Sequence, residues 1–88
     1  MSVKKKQKLP KWFNGALYSQ GETVANPFTG EEIELTNVEL SLYDFIMGCN
    51  TVFAKAPNRV NDEMIKDFDL ALTWFRVNNP EAYMVLLD

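Results

Sequence analysis

The chain has no histidine among its 88 residues and a single cysteine, Cys49. Without histidine there is no Ser-His-Asp or Cys-His nucleophilic arrangement, no imidazole general base and no source of the commonest zinc ligand. A lone cysteine cannot close an internal disulfide or complete a thiolate zinc site, and beside four methionines it suits a reducing compartment. No glycine-rich phosphate loop and no nucleophile elbow occurs. Long apolar runs are missing too, since none approaches the ~18 residues of a membrane span. The first eleven residues hold Lys4, Lys5, Lys6, Lys8 and Lys11, like the charged start of a signal peptide, but Pro10, Lys11, Asn14, Ser19 and Gln20 break any apolar stretch behind them. The expectation is a cytoplasmic protein, neither exported by that route nor inserted in a bilayer.

What is present is ordinary globular composition, 47% apolar and 24% charged, which argues against wholesale disorder. A chain this short makes one domain and buries only about 60–65% of its unfolded surface, so stability is modest and oligomerisation would add to it. The net charge of -3 conceals an asymmetry: five of nine basic residues fall in positions 1–11, leaving 4 basic against 12 acidic residues, or -8, in 12–88. Residues 1–11 have almost no apolar content and read as a flexible basic arm, with the globular domain over 12–88.

After Trp12, Gly15, Gly21 and Gly30 separate short segments, Ala16–Tyr18, Glu22–Ala25 and Glu31–Leu35, in the manner of strands. Asn26-Pro27-Phe28-Thr29-Gly30 is a turn: asparagine caps it, proline presets φ, and glycine supplies the left-handed exit. With Asn26 opposite Glu31, Val24 faces Ile33 on one side, while Ala25 and Thr23 oppose Glu32 and Glu34 on the other. A third strand over Ala16–Tyr18 would make this a meander. Thr36 and Glu39 form a capping box that starts a helix at Asn37, ending near Ala56 before Pro57. Its polar stripe is Asn37, Ser41, Asp44, Gly48, Thr51 and Lys55, and nearly everything else is apolar. Asn61 caps a second helix to about Asn78, whose core stripe is Met64, Ile65, Phe68, Ala71, Leu72 and Phe75. Asn79-Pro80 starts a short last helix to Leu87. The fold class is α+β, a β-hairpin or three-stranded meander followed by two antiparallel helices and a short C-terminal helix.

Carboxylates are the remaining candidates for chemistry. Glu63 and Asp67 stand one turn apart, but two ligands on a solvent-facing turn hold a hard cation weakly, and early acidic residues match the helix dipole. No metal or cofactor is implied, and no catalytic residue. Cys49 shares the apolar side of its helix with Leu42, Phe45 and Val52, as a buried, inert thiol does. The second helix opens with Asp62, Glu63, Asp67 and Asp69, which phosphate would repel, so the helix pair is not a DNA-reading helix-turn-helix. Leu70, Trp74 and Val77 form a second stripe off the core face of that helix. They need a cover, from the last helix, from Trp12 and Phe13, or from a partner, and these five residues are the candidates for protein interaction. The five arm lysines are candidates for polyanion binding, with nucleic acid or an anionic surface as the alternative partner.

Three segments, Asn26-Pro27-Phe28-Thr29-Gly30-Glu31, Leu42-Tyr43-Asp44-Phe45-Ile46-Met47-Gly48 and Trp74-Phe75-Arg76-Val77-Asn78-Asn79-Pro80-Glu81-Ala82-Tyr83, resemble short conserved hypothetical proteins of marine bacteriophages, including cyanophages. The likeness runs loosely over residues 12–88 and leaves out the lysine arm. It implies a phage accessory or virion-associated role in the host cytoplasm and brings no assigned activity. The combined expectation is a non-enzymatic protein-interaction module that binds itself or a host or viral protein.

Overall fold

The computed structural model of the chain describes residues 7–88. Two short strands, β1 (Glu22–Ala25) and β2 (Glu32–Leu35), pair antiparallel in the register that the turn residues dictate: Val24 with Ile33, Thr23 with Glu34, and Ala25 with Glu32. The turn between them is built as its composition requires. The Asn26 Oδ1 accepts the backbone N–H groups of Phe28 at 2.8 Å and Thr29 at 3.3 Å, Gly30 adopts φ +79°, and the Gly30 N–H closes on the Asn26 carbonyl at 2.8 Å. One face of the hairpin carries Val24 and Ile33 onto the core, and Glu32 and Glu34 lie on the other.

Among the described residues the sheet stops at two strands. Ala16–Tyr18 is irregular because the backbone of Tyr18 finds its partners on the first helix instead of on β1. The Tyr18 N–H donates to Ser41 Oγ at 2.9 Å, and Asn37 Nδ2 donates to the Tyr18 carbonyl at 3.1 Å. A backbone group satisfied by a side chain has no need of a ladder. The same contact corrects the polar stripe of that helix, since Ser41 lies buried under the loop rather than in solvent.

Three helices follow. Helix α1 (Asn37–Lys55) begins with the reciprocal capping box of Thr36 and Glu39, and its C-cap is Ala56, just ahead of Pro57. A 3-10 turn (Pro57–Arg59) leads to α2 (Asp62–Asn78), whose first turn is capped by Asn61 Oδ1 accepting the Met64 N–H at 2.8 Å. Asn79 then serves twice. Its N–H ends α2 on the Phe75 carbonyl at 2.8 Å, and its side chain accepts the Ala82 N–H at 3.1 Å to start α3 (Pro80–Ala82). Helix α3 passes into one π-helical turn (Tyr83–Leu87), closed by the Asp88 N–H on the Tyr83 carbonyl at 2.8 Å.

The core gathers Leu35 from β2, Val38, Leu42 and Ile46 from α1, Ala71 and Phe75 from α2, Ala82 from α3, and Phe13 from the segment before the hairpin. Burying a side chain of Leu, Ile or Phe size contributes about 1.5–3 kcal/mol relative to exposure, so this small set supplies much of the folding free energy. Phe53 of α1 and Phe68 of α2 meet edge to face at 5.0 Å, extending the apolar seam between the two helices. Ile65 departs from the expected core stripe of α2: in the first turn of the helix, it is 50% exposed.

One polar knot ties the segments together. Glu39 is 1% exposed, yet both its carboxylate oxygens are occupied. Oε1 accepts the Thr36 N–H at 2.8 Å, while Oε2 accepts Gln7 Nε2 at 2.7 Å and Asn79 Nδ2 at 2.9 Å. Thr36 Oγ1 donates in turn to Gln7 Oε1 at 2.6 Å. Gln7 is therefore held by the fold and Leu9 packs on the core, which corrects the expected boundary at Trp12. A basic arm over 1–11 keeps only Lys8 and Lys11 within the described residues, both exposed; Lys4, Lys5 and Lys6 lie outside them.

Candidate interaction surfaces

The second stripe of α2 is covered in a graded way. Leu70 is half-buried. Trp74 packs against the core and stands edge-on to Phe75, with ring centroids 5.3 Å apart and planes at 83°. Val77, one turn further on, is 75% exposed. The fold thus provides cover for the first two members of the stripe and leaves the third in solvent. Trp12 and Phe13, expected to take part in binding, are instead joined to Phe45 in a three-ring cluster with centroids 5.8 to 6.1 Å apart. Phe13 is buried and Trp12 half-buried, so both anchor the entry segment to α1.

Among the exposed large apolar side chains that the sequence did not single out, Leu17 is 51% exposed ahead of the hairpin and two others are more exposed still. Phe28 is 95% exposed at the tip of the hairpin and Met84 is 69% exposed in the π turn. Position was the available signal for Phe28: a residue in the middle of a five-residue turn points away from the sheet whose strands it joins. Met84 follows Tyr83, which packs inward, and no periodicity is measurable over so short an element.

Two bonds draw these residues toward the C-terminal helix. Asn26 Nδ2 donates to the Val85 carbonyl at 2.8 Å, fastening the hairpin turn to the π turn. Arg76 donates to the Tyr83 hydroxyl at 2.9 Å with its guanidinium 4.8 Å from that ring's centroid, fastening the end of α2 to the same turn. Phe28, Val77 and Met84, all exposed, each stand one or two residues along the chain from these bonds.

A cleft of about 400 Å³ opens between the hairpin and α1, lined by Tyr18, Ser19, Gln20, Glu22, Val24, Leu40, Tyr43 and Asp44. The Asp44 carboxylate, as a hydrogen-bond acceptor and a negative charge beside the Tyr18 phenol, raises the tyrosine's pKa above its ordinary value, with smaller contributions from burial and from Glu22. Burial raises Tyr43 in the same direction. A shallower depression of about 280 Å³ lies among Phe45, Asn61, Glu63, Met64 and Asp67. Glu63 and Asp67 do come together there, but among the described residues no group of three histidine, cysteine or acidic side chains is placed to hold a metal ion. Cys49 is buried in α1, and desolvation, with the nearby Asp67 charge, raises its thiol pKa and suppresses the nucleophilic thiolate.

No helix among the described residues is long and apolar enough to cross a membrane. Comparison with known protein families, with curated proteins and with solved structures finds no match.

Proposed function

We propose that this chain is a non-enzymatic protein-interaction module, of the accessory or virion-associated kind that a phage encodes, and that it binds through the surface around its C-terminal helix. The observation that carries this reading is the exposure of Phe28, Val77 and Met84 about an element that is itself tied down by Asn26 and Arg76. Large apolar side chains on a rigid, polar-rimmed mount are what a partner buries most profitably, since little order remains to be imposed on binding. A second copy of the chain is the first partner to test, because a domain this small gains most from self-association. Cytoplasm, of the host if phage-encoded, is the compartment that the buried free thiol suits.

The test is solution mass by light scattering together with capture of host proteins, for the natural chain and for a Phe28→Ser, Val77→Ser, Met84→Ser variant. The reading holds if the natural chain is dimeric or captures a defined protein and the variant does neither while staying folded. A monomer that captures nothing, or a variant that behaves like the natural chain, overturns it.

The lysine arm supports a second reading, polyanion binding, because Lys8 and Lys11 are exposed and Lys4, Lys5 and Lys6 precede them on an otherwise acidic chain. Its control deletion must stop at Lys6, since Gln7 belongs to the Glu39 knot. Affinity for DNA that falls steeply with salt and drops on that deletion supports the arm; equal binding without residues 1–6 removes it.

A further inference from the structure

The cleft between the hairpin and α1 is a built site rather than a gap between loops. One wall is the segment Tyr18–Glu22, pinned to α1 by the Tyr18 N–H on Ser41 and by Asn37 on the Tyr18 carbonyl. At its end Gly21 lies so close to the Leu35 carbonyl oxygen that a β-carbon there would collide with it. The other wall is one face of α1, where Leu40, Tyr43 and Asp44 follow at the three- and four-residue spacing that aligns side chains. Val24 of β1 completes the lining with a second aliphatic surface. Two carboxylates, Glu22 and Asp44, border this space, and among the described residues no lysine or arginine does. The volume, about 400 Å³, lies at the small end of the roughly 300–1,000 Å³ of ligand pockets.

We propose that this cleft binds an alkylammonium or guanidinium group, with the cation between the Asp44 and Glu22 carboxylates and the rings of Tyr18 and Tyr43, and its aliphatic stem on Val24 and Leu40. Each feature has a matching part of such a ligand. Carboxylates at a partly enclosed surface attract the charge, phenol rings offer an electron-rich face to the same cation, and apolar walls take the methylenes that lysine and arginine carry. The bonds that pin the loop mean the walls need little rearrangement. This site stands apart from the apolar surface around the C-terminal helix and can exist whether or not that surface binds a protein.

The experiment is a chemical-shift titration of the full, isotope-labelled chain with the N-acetyl methylamides of lysine and arginine, set against the norleucine compound, which has the stem without the charge. Saturable shifts are expected at the amides of Tyr18–Glu22, Val24, Leu40, Tyr43 and Asp44 for the two cations, with binding about tenfold weaker or absent for norleucine. Asp44→Asn and Tyr18→Leu should each weaken lysine-amide binding by about fivefold, whereas Tyr18→Phe, which keeps the ring, should weaken it less. Glu22→Gln provides an independent charge variant, and a thermal midpoint for each variant establishes that it is folded. A short glycine-flanked lysine peptide separates the sources of the cation: tighter binding than the amide at the same residues indicates a basic side chain of a protein, and equal binding indicates a free amine. Equal shifts with norleucine, shifts that miss these residues, or affinity untouched by both Asp44→Asn and Glu22→Gln overturn the proposal.

Discussion

At the scale of single residues, the most consequential side chain is Glu39. Its carboxylate receives three donors, from the Thr36 backbone, Gln7 and Asn79, while 1% exposed. Glutamine has the same shape but offers one oxygen and one NH2 in place of two oxygens. Whichever way it turns, at least one donor meets another donor. A buried polar group left unmet costs about 1–3 kcal/mol, so Glu39→Gln should lower the urea midpoint by that equivalent with an unchanged slope. An unaltered midpoint would show that the knot adds nothing to stability. The Asp44 neighbour of Tyr18 makes a different prediction. Tyr18 should ionise above the ordinary tyrosine value, and Asp44→Asn should bring it down, removing both the charge and the charged acceptor. An ultraviolet pH titration of tyrosinate absorbance, with Tyr18→Phe to assign the step, measures it.

At the scale of elements, two glycines in similar exposure should respond to alanine with opposite signs. Gly30 sits at φ +79° with open space around its α-carbon, so the cost of Gly30→Ala is purely conformational, about 1–2 kcal/mol. Gly30→Asn should cost less, because asparagine visits that region more readily. Gly48 lies in the interior of α1, also with nothing within reach of an added β-carbon. There Gly48→Ala should stabilise the protein by about 0.5–1 kcal/mol through helix propensity and the unfolded chain's lost freedom. Thermal or urea denaturation of both variants is the check, and equal signs would refute the account. The helices themselves were readable because each carries its own start and stop: Thr36 with Glu39, then Pro57; Asn61, then Asn79 with Pro80. Whether a third strand joins the hairpin stays open in the sequence for the complementary reason. Ala16–Tyr18 has strand-like punctuation, and what pulls it off the sheet is Ser41 and Asn37, more than a dozen residues away in the chain.

At the scale of the whole molecule, distant segments are joined by a few side-chain bonds. Gln7 meets Glu39 and Thr36, Asn79 meets Glu39, Asn26 meets Val85, and Arg76 meets Tyr83. The N-terminal segment is therefore part of the fold from Gln7 onward. A deletion through Leu9 removes the Gln7 bonds and the Leu9 packing that a deletion through Lys6 leaves intact. The longer deletion should be less stable than the shorter by about 1–3 kcal/mol, or roughly 4–8 °C in melting temperature for each kcal/mol in a domain of this size. Calorimetry of the two truncated chains decides this; identical melting would place the boundary back at Trp12.

By itself the sequence determined the order and ends of the elements and the register of the hairpin. All of these rest on interactions within a turn, a helix end or a strand pair, where spacing along the chain equals spacing in space. Only the tertiary structure decided that Trp12 and Phe13 turn inward onto Phe45, that Trp74 is covered while Val77 is not, and that Phe28 and Met84 stand out. It also brought Tyr18 and Glu22 to Asp44 across a cleft. Cover and proximity depend on which segment arrives from elsewhere in the chain, and no local pattern encodes that.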